Sequence, residues 1–124
     1  MKKLIASAVI VMGLFACNSA EEKTGGSEQK KNAAMNNPDY DAGLNLAAKS
    51  DCFTCHKLRE KLVGPAWGDV AKKYASTPEN INMLSDKVIK GGQGVWGPVP
   101  MAAHPALAKA DAEKMVKYIL LLKE

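Results

Sequence analysis

The chain has 124 residues, 17 Lys and Arg against 13 Asp and Glu, 47% apolar residues and 6% aromatic ones. That composition admits one small globular domain and excludes wholesale disorder, collagen-like and coiled-coil architectures and repeat arrays. No apolar run reaches the roughly 20 residues of a membrane-spanning helix, and the 12 basic and 10 acidic residues from Pro38 to Glu124 leave too little net charge to argue for nucleic-acid binding.

In chain order, Lys2 and Lys3 precede an uncharged stretch from Leu4 to Ala16, the pattern of an export signal. The stretch ends in Leu14-Phe15-Ala16-Cys17, which resembles the bacterial lipobox, with Phe15 larger than is usual there. Residues 1–16 are read as a lipoprotein-type signal peptide with Cys17 as the lipidated residue; an ordinary signal peptide or an uncleaved anchor is the alternative. Residues 17–37 form the lipidated cysteine and a linker of Asn, Ser, Glu, Lys, Gly and Gln, which has too little to bury to offset its ordering entropy. Residues 38–124 are the domain.

Four helices are expected there and no strand, an all-α fold. Pro38-Asp39 opens the first helix, with Tyr40, Leu44, Ala47 and Ala48 at helical spacing. A short helix follows from Trp67 to about Ala75. Thr77-Pro78-Glu79 caps a third, which carries Ile81, Leu84 and Val88 and stops at Gly91-Gly92. The last covers roughly 110–123, with Ala112, Met115, Val116, Ile119 and Leu122 as its buried stripe. So small a core calls for a staple or a bound group.

The staple is Cys52-Phe53-Thr54-Cys55-His56. Two cysteines three apart, followed at once by histidine, are the attachment signature of c-type haem. On one helical turn Cys52, Cys55 and His56 share a face, so two thiols can form thioethers with the vinyl groups while the imidazole reaches the iron. A redox dithiol would want a strand–helix–strand setting, a zinc site a second ligand pair, and a plain disulfide would leave His56 without a role. For the sixth position, Met83 and Met115 lie inside helices. Met101 follows Gly97-Pro98-Val99-Pro100 in a proline-stiffened loop and is the expected axial ligand. His104 competes on paper but reads as a solvent-facing loop residue. Gly92-Gln93-Gly94-Val95-Trp96-Gly97 fits a dinucleotide fingerprint literally, yet it follows a helix and runs into a proline, so it reads as a loop.

With these residues in place, the chain resembles a class I monohaem cytochrome c, and more closely the short bacterial cytochromes that donate electrons to nitrite reductases and terminal oxidases. The likeness rests on Cys52–His56, Leu62–Trp67, Asp69–Tyr74, Ile89–Met101 and the last helix. It implies crossing first and last helices and a haem crevice with one exposed edge. It also implies that the Pro65 carbonyl accepts the proximal imidazole proton and that the Trp96 indole reaches a propionate. Trp67, Gly94 and Pro98 would complete the haem pocket. The family has a capping Ser or Thr before its last helix, where this chain has Lys109 or Ala110.

The function implied is one-electron transport through a covalent haem c with His/Met ligation, not catalysis. Partners would be a quinol-oxidising complex, a terminal oxidase or a nitrite reductase. The protein would be a monomer, exported to the periplasmic side or the cell surface and held to a membrane by lipid. The alternative is a haem-based gas sensor or small peroxidase with a labile sixth ligand, for which the chain supplies no distal acid–base pair.

Overall fold

A computed structural model describes residues 35–123; the signal segment, Cys17 and the linker as far as residue 34 lie outside the described residues. Helix α1 (Pro38–Lys49) is capped by the Asn37 side chain, which accepts from the Asp39 N–H at 2.9 Å, with Pro38 filling the first position, where no N–H is needed. A 3-10 turn (Cys52–Thr54) follows, then α2 (Trp67–Lys73) and α3 (Pro78–Lys90). Thr77 Oγ1 caps α3 by accepting from the Asn80 N–H, and Gly91, at φ 72°, ends it. The last helix, α4, spans Lys109–Leu121.

Helix α4 packs against α1, α2 and α3, so it is buried on more than one side: Ala112, Met115, Val116, Tyr118, Leu120 and Leu122 are all inside. The expected stripe included Ile119, which is only half-buried, and omitted Tyr118, which is fully buried. On α1, Ala47 is buried as expected, but Ala48 is exposed; the second buried residue is Gly43. A Cβ at Gly43 would overlap the Tyr118 Cβ and the Lys114 carbonyl, so the crossing of the terminal helices depends on a missing side chain.

One local expectation differs. Gly92–Gly94 (β1) and Gly97–Met101 (β2) pair as an antiparallel ribbon, Gly92 opposite Met101 and Gly94 opposite Gly97. The ribbon follows from glycines at positive φ (143°, 102° and 126° at Gly92, Gly94 and Gly97) and not from a buried face, so it carries no alternation to read. Among the described residues the fold is still mostly helical, with four α-helices. As the absence of a capping Ser or Thr implied, α4 begins at Ala108-Lys109 without a side-chain cap. The Lys109 ammonium instead reaches back to the Asn82 carbonyl at 2.8 Å and to the Asp86 carboxylate, tying the start of α4 to α3. Among the described residues no helix is long and apolar enough to cross a membrane.

Candidate functional site

Cys52, Cys55 and His56 sit in the turn between α1 and α2. It is tighter than an α-helix: the Cys52 carbonyl accepts from the N–H groups of both Cys55 (3.2 Å) and His56 (3.1 Å). Asp51 starts it at φ 56°, a conformation that short polar residues tolerate. Neither cysteine is in a disulfide, and burial pushes the Cys52 thiol up from its ordinary pKa.

The loop that follows is folded by its own backbone. Gly64 donates to Cys55 O at 2.8 Å, Leu62 to Gly64 O at 3.1 Å, Trp67 to Lys57 O at 3.0 Å and Gly68 to Leu58 O at 2.9 Å. This places the Pro65 carbonyl 2.8 Å from His56 Nδ1. A carbonyl can only accept, so Nδ1 carries the proton and Nε2 keeps its lone pair for a metal. Gly64 presses against the same imidazole: a Cβ there would clash with the ring. Trp67 is 3% exposed and forms an offset stack with His56, ring centroids 5.8 Å apart at 24°.

Met101 ends β2, half-buried, and its carbonyl packs against Gly91. Trp96 stands in the turn of the ribbon with Gly94 and Pro98 to either side, both exposed, and the Lys73 ammonium lies 5.7 Å over its ring. His104 is not the solvent-facing residue expected. Its N–H donates to Ile89 O at 3.0 Å, and its Nδ1 is buried with no hydrogen-bond partner among the described residues. It lines an open cavity of about 370 Å³ with Ser50, Asp51 and Pro105–Leu107. The attachment motif marks Cys52, Cys55 and His56 and the family resemblance marks Pro65; neither marks Gly64, whose only signal is a glycine beside that proline.

The residues present fit a haem. From Ser50 to Pro65 and from Gly92 to Ala108 no residue is buried, although both segments are fully folded. They leave Phe53, Leu62, Val63, Val95, Trp96 and Val99 partly exposed at the surface, large apolar side chains that the described residues cover only in part. A flat apolar group held between the two segments would supply the missing core, and the two thiols and the oriented imidazole lie on one of them.

Comparison with known proteins agrees. The Cytochrome c family matches residues 40–123. Cytochrome c-552 of Hydrogenobacter thermophilus is 44% identical over 82 residues, 66% of this chain and 83% of that one. Cytochrome c-551 of Pseudomonas aeruginosa is 39% identical over 78 residues, 63% of this chain and 74% of that one. The crystal structure of wild-type Nitrosomonas europaea cytochrome c552 superposes with a TM-score of 0.61 at 40% identity, covering 64% of this chain and 99% of that chain. The chain therefore belongs to the cytochrome c family as a class I monohaem electron carrier related to the c-551 and c-552 proteins, with covalent haem c as its cofactor.

Proposed function

We propose that Cys52 and Cys55 carry the haem through thioethers, that His56 and Met101 are its axial ligands, and that the protein shuttles single electrons between respiratory partners outside the cytoplasmic membrane. The observation that carries this reading is the 2.8 Å contact of His56 Nδ1 with the Pro65 carbonyl, which leaves Nε2 as the only ring atom able to bind iron. When bound, the haem supplies a reversible one-electron couple. The chain's contribution is positional. Pro65 fixes the tautomer of His56 and raises its basicity, Gly64 lets the backbone close on the ring, and the ribbon brings the Met101 thioether. With His56 and Met101 holding the iron, no position would be left for a substrate, and methionine ligation would favour the ferrous state. Trp67, Trp96, Gly94 and Pro98 are assigned to the haem pocket.

The candidate partners are a quinol-oxidising complex, a terminal oxidase or a nitrite reductase. Export as a lipoprotein anchored through Cys17, with residues 17–37 as tether, agrees with the signal-like N terminus. Acylation of the mature chain would show in its intact mass.

The ligation is tested on the exported holoprotein and on Met101→Ala. The wild type should give a six-coordinate low-spin spectrum with the weak long-wavelength band of a sulfur-ligated ferric haem and should bind carbon monoxide slowly. The variant should lose that band and bind carbon monoxide rapidly. Rapid binding by the wild type would overturn His/Met ligation in favour of a sensor or peroxidase.

A further inference from the structure

Resting on the assignment of His56 as an axial ligand, we propose that Trp67 is a positioning residue: its indole fixes the plane of the imidazole and favours the ferric over the ferrous state.

The hydrogen bond to Pro65 fixes where Nδ1 points. One N–H···O contact still leaves the ring free to rock about that line. Gly64 crowds the ring without offering a plane; a flat surface is supplied by the indole of Trp67, 24° from parallel with centroids 5.8 Å apart. The indole cannot yield. It is the first residue of α2, 3% exposed, with its backbone N–H bonded to Lys57 O at 3.0 Å. Phe53 leans on it at 4.8 Å, and Tyr118 meets it at 5.7 Å with the rings at 88°. Trp67 therefore transmits the rigidity of the α1–α4 core to an imidazole that is itself outside that core.

The electronic consequence follows from the ring. The face of an indole carries partial negative charge. An imidazole bound to ferric iron is more positive than one bound to ferrous iron, so the stacked indole stabilises the oxidised state, as aromatic faces stabilise cations. A residue that only filled space would do neither.

The test uses the holoprotein with Trp67→Phe, which keeps a smaller aromatic face, and Trp67→Leu, which keeps apolar bulk alone. Two readouts are taken: the hyperfine-shifted haem methyl signals of the oxidised protein by proton NMR, which report the axial ligand planes, and the midpoint potential. In the Leu variant the methyl pattern should change, and the ferric-to-ferrous ratio at a fixed solution potential should fall two- to fivefold, a rise of about 20–40 mV at 59 mV per tenfold. The Phe variant should lie between, and it decides the matter if the Leu variant does not fold. Methyl patterns and potentials that match the wild type in every folded variant, with only thermal stability lowered, would make Trp67 a core filler. A potential that falls would overturn the electronic half of the inference by pointing to water entry. A wild-type spectrum without the signals of a sulfur-ligated low-spin haem would overturn the ligation itself, and this inference with it; wild-type signals left unchanged by both substitutions overturn this inference alone.

Discussion

The two segments that would face the haem are built differently. The segment from Cys52 to Gly68 is irregular, yet its backbone groups bond to one another at 2.8–3.2 Å and its histidine is held by the Pro65 carbonyl, by Gly64 and by Trp67. The segment from Gly92 to His104 is regular, a two-stranded ribbon, but it is exposed along nearly its whole length. It is anchored at its base, where Gly91 backs onto Met101 and His104 bonds to Ile89, and at its tip by the Lys73 ammonium over Trp96. Regular secondary structure is thus no measure of how firmly a ligand is held. One proposed ligand, His56, is fixed by a dense local network; the other, Met101, hangs on a short ribbon whose shape is set by glycine and proline dihedrals. Ligand loss under heat or competing ligands is expected on the Met101 side first.

The widest break in that comparison removes what joins the two sides. Cys52→Ala with Cys55→Ala should abolish covalent attachment, so that acid–acetone extracts all pigment from the protein. Two glycines then separate the segments. Gly64→Ala forces a Cβ into the His56 ring and should cost about 1–3 kcal/mol, with loss of the normal low-spin spectrum, because the crowded atom belongs to the site. Gly94→Ala meets nothing within 4 Å and should cost about 1–2 kcal/mol for its φ of 102° alone, with the spectrum intact. Denaturant unfolding together with absorption spectra distinguishes the two. Equal spectral damage in both would mean that the ribbon is as tightly coupled to the iron as the Cys52–Gly68 loop.

The smallest expected effect concerns the core that supports the first segment. Tyr118 is fully buried, and its hydroxyl finds no hydrogen-bond partner among the described residues. Burial pushes its pKa up from 10.0 to about 12; Tyr40 adds to the rise without reaching hydrogen-bond geometry, and Arg59 opposes it. The native state holds this proton more tightly than the unfolded chain does. Its contribution to stability is therefore whole below pH 10 and is lost as pH climbs towards 12. Tyr118→Phe should stabilise the protein by up to about 1 kcal/mol near neutrality and flatten the alkaline decline, as followed by denaturant midpoints between pH 7 and 12.

Much of this architecture was legible in the amino-acid sequence, and the parts that were not share a cause. The ends of α3 could be read because Thr77, Pro78 and Gly91 act locally, through a capping oxygen, a missing N–H and a positive φ. The Cys52–His56 motif could be read because attachment chemistry demands adjacent residues. Tyr118 escaped because a stripe of one face presumes one neighbour, whereas α4 has three. Gly43 and Gly64 escaped because each acts by what its Cα lacks, toward a partner known only once the chain is folded. The ribbon escaped because a strand pattern records a buried face, and this one has none. The stacking of Trp67 on His56 had no sequence signal beyond a tryptophan near the motif.

The interlock of Gly43 with Tyr118 also sets an order of events. The two residues stand near opposite ends of the domain, and the surface that either buries against is made by the other. Contacts so distant along the chain are slow to form, because a long loop must close before they give anything back. The Cys-x-x-Cys-His turn lies inside that loop, close behind its first anchor. Its own contacts are local, so the turn is expected to form before the terminal helices close on each other, with both thiols in place while the α1–α4 crossing is still open.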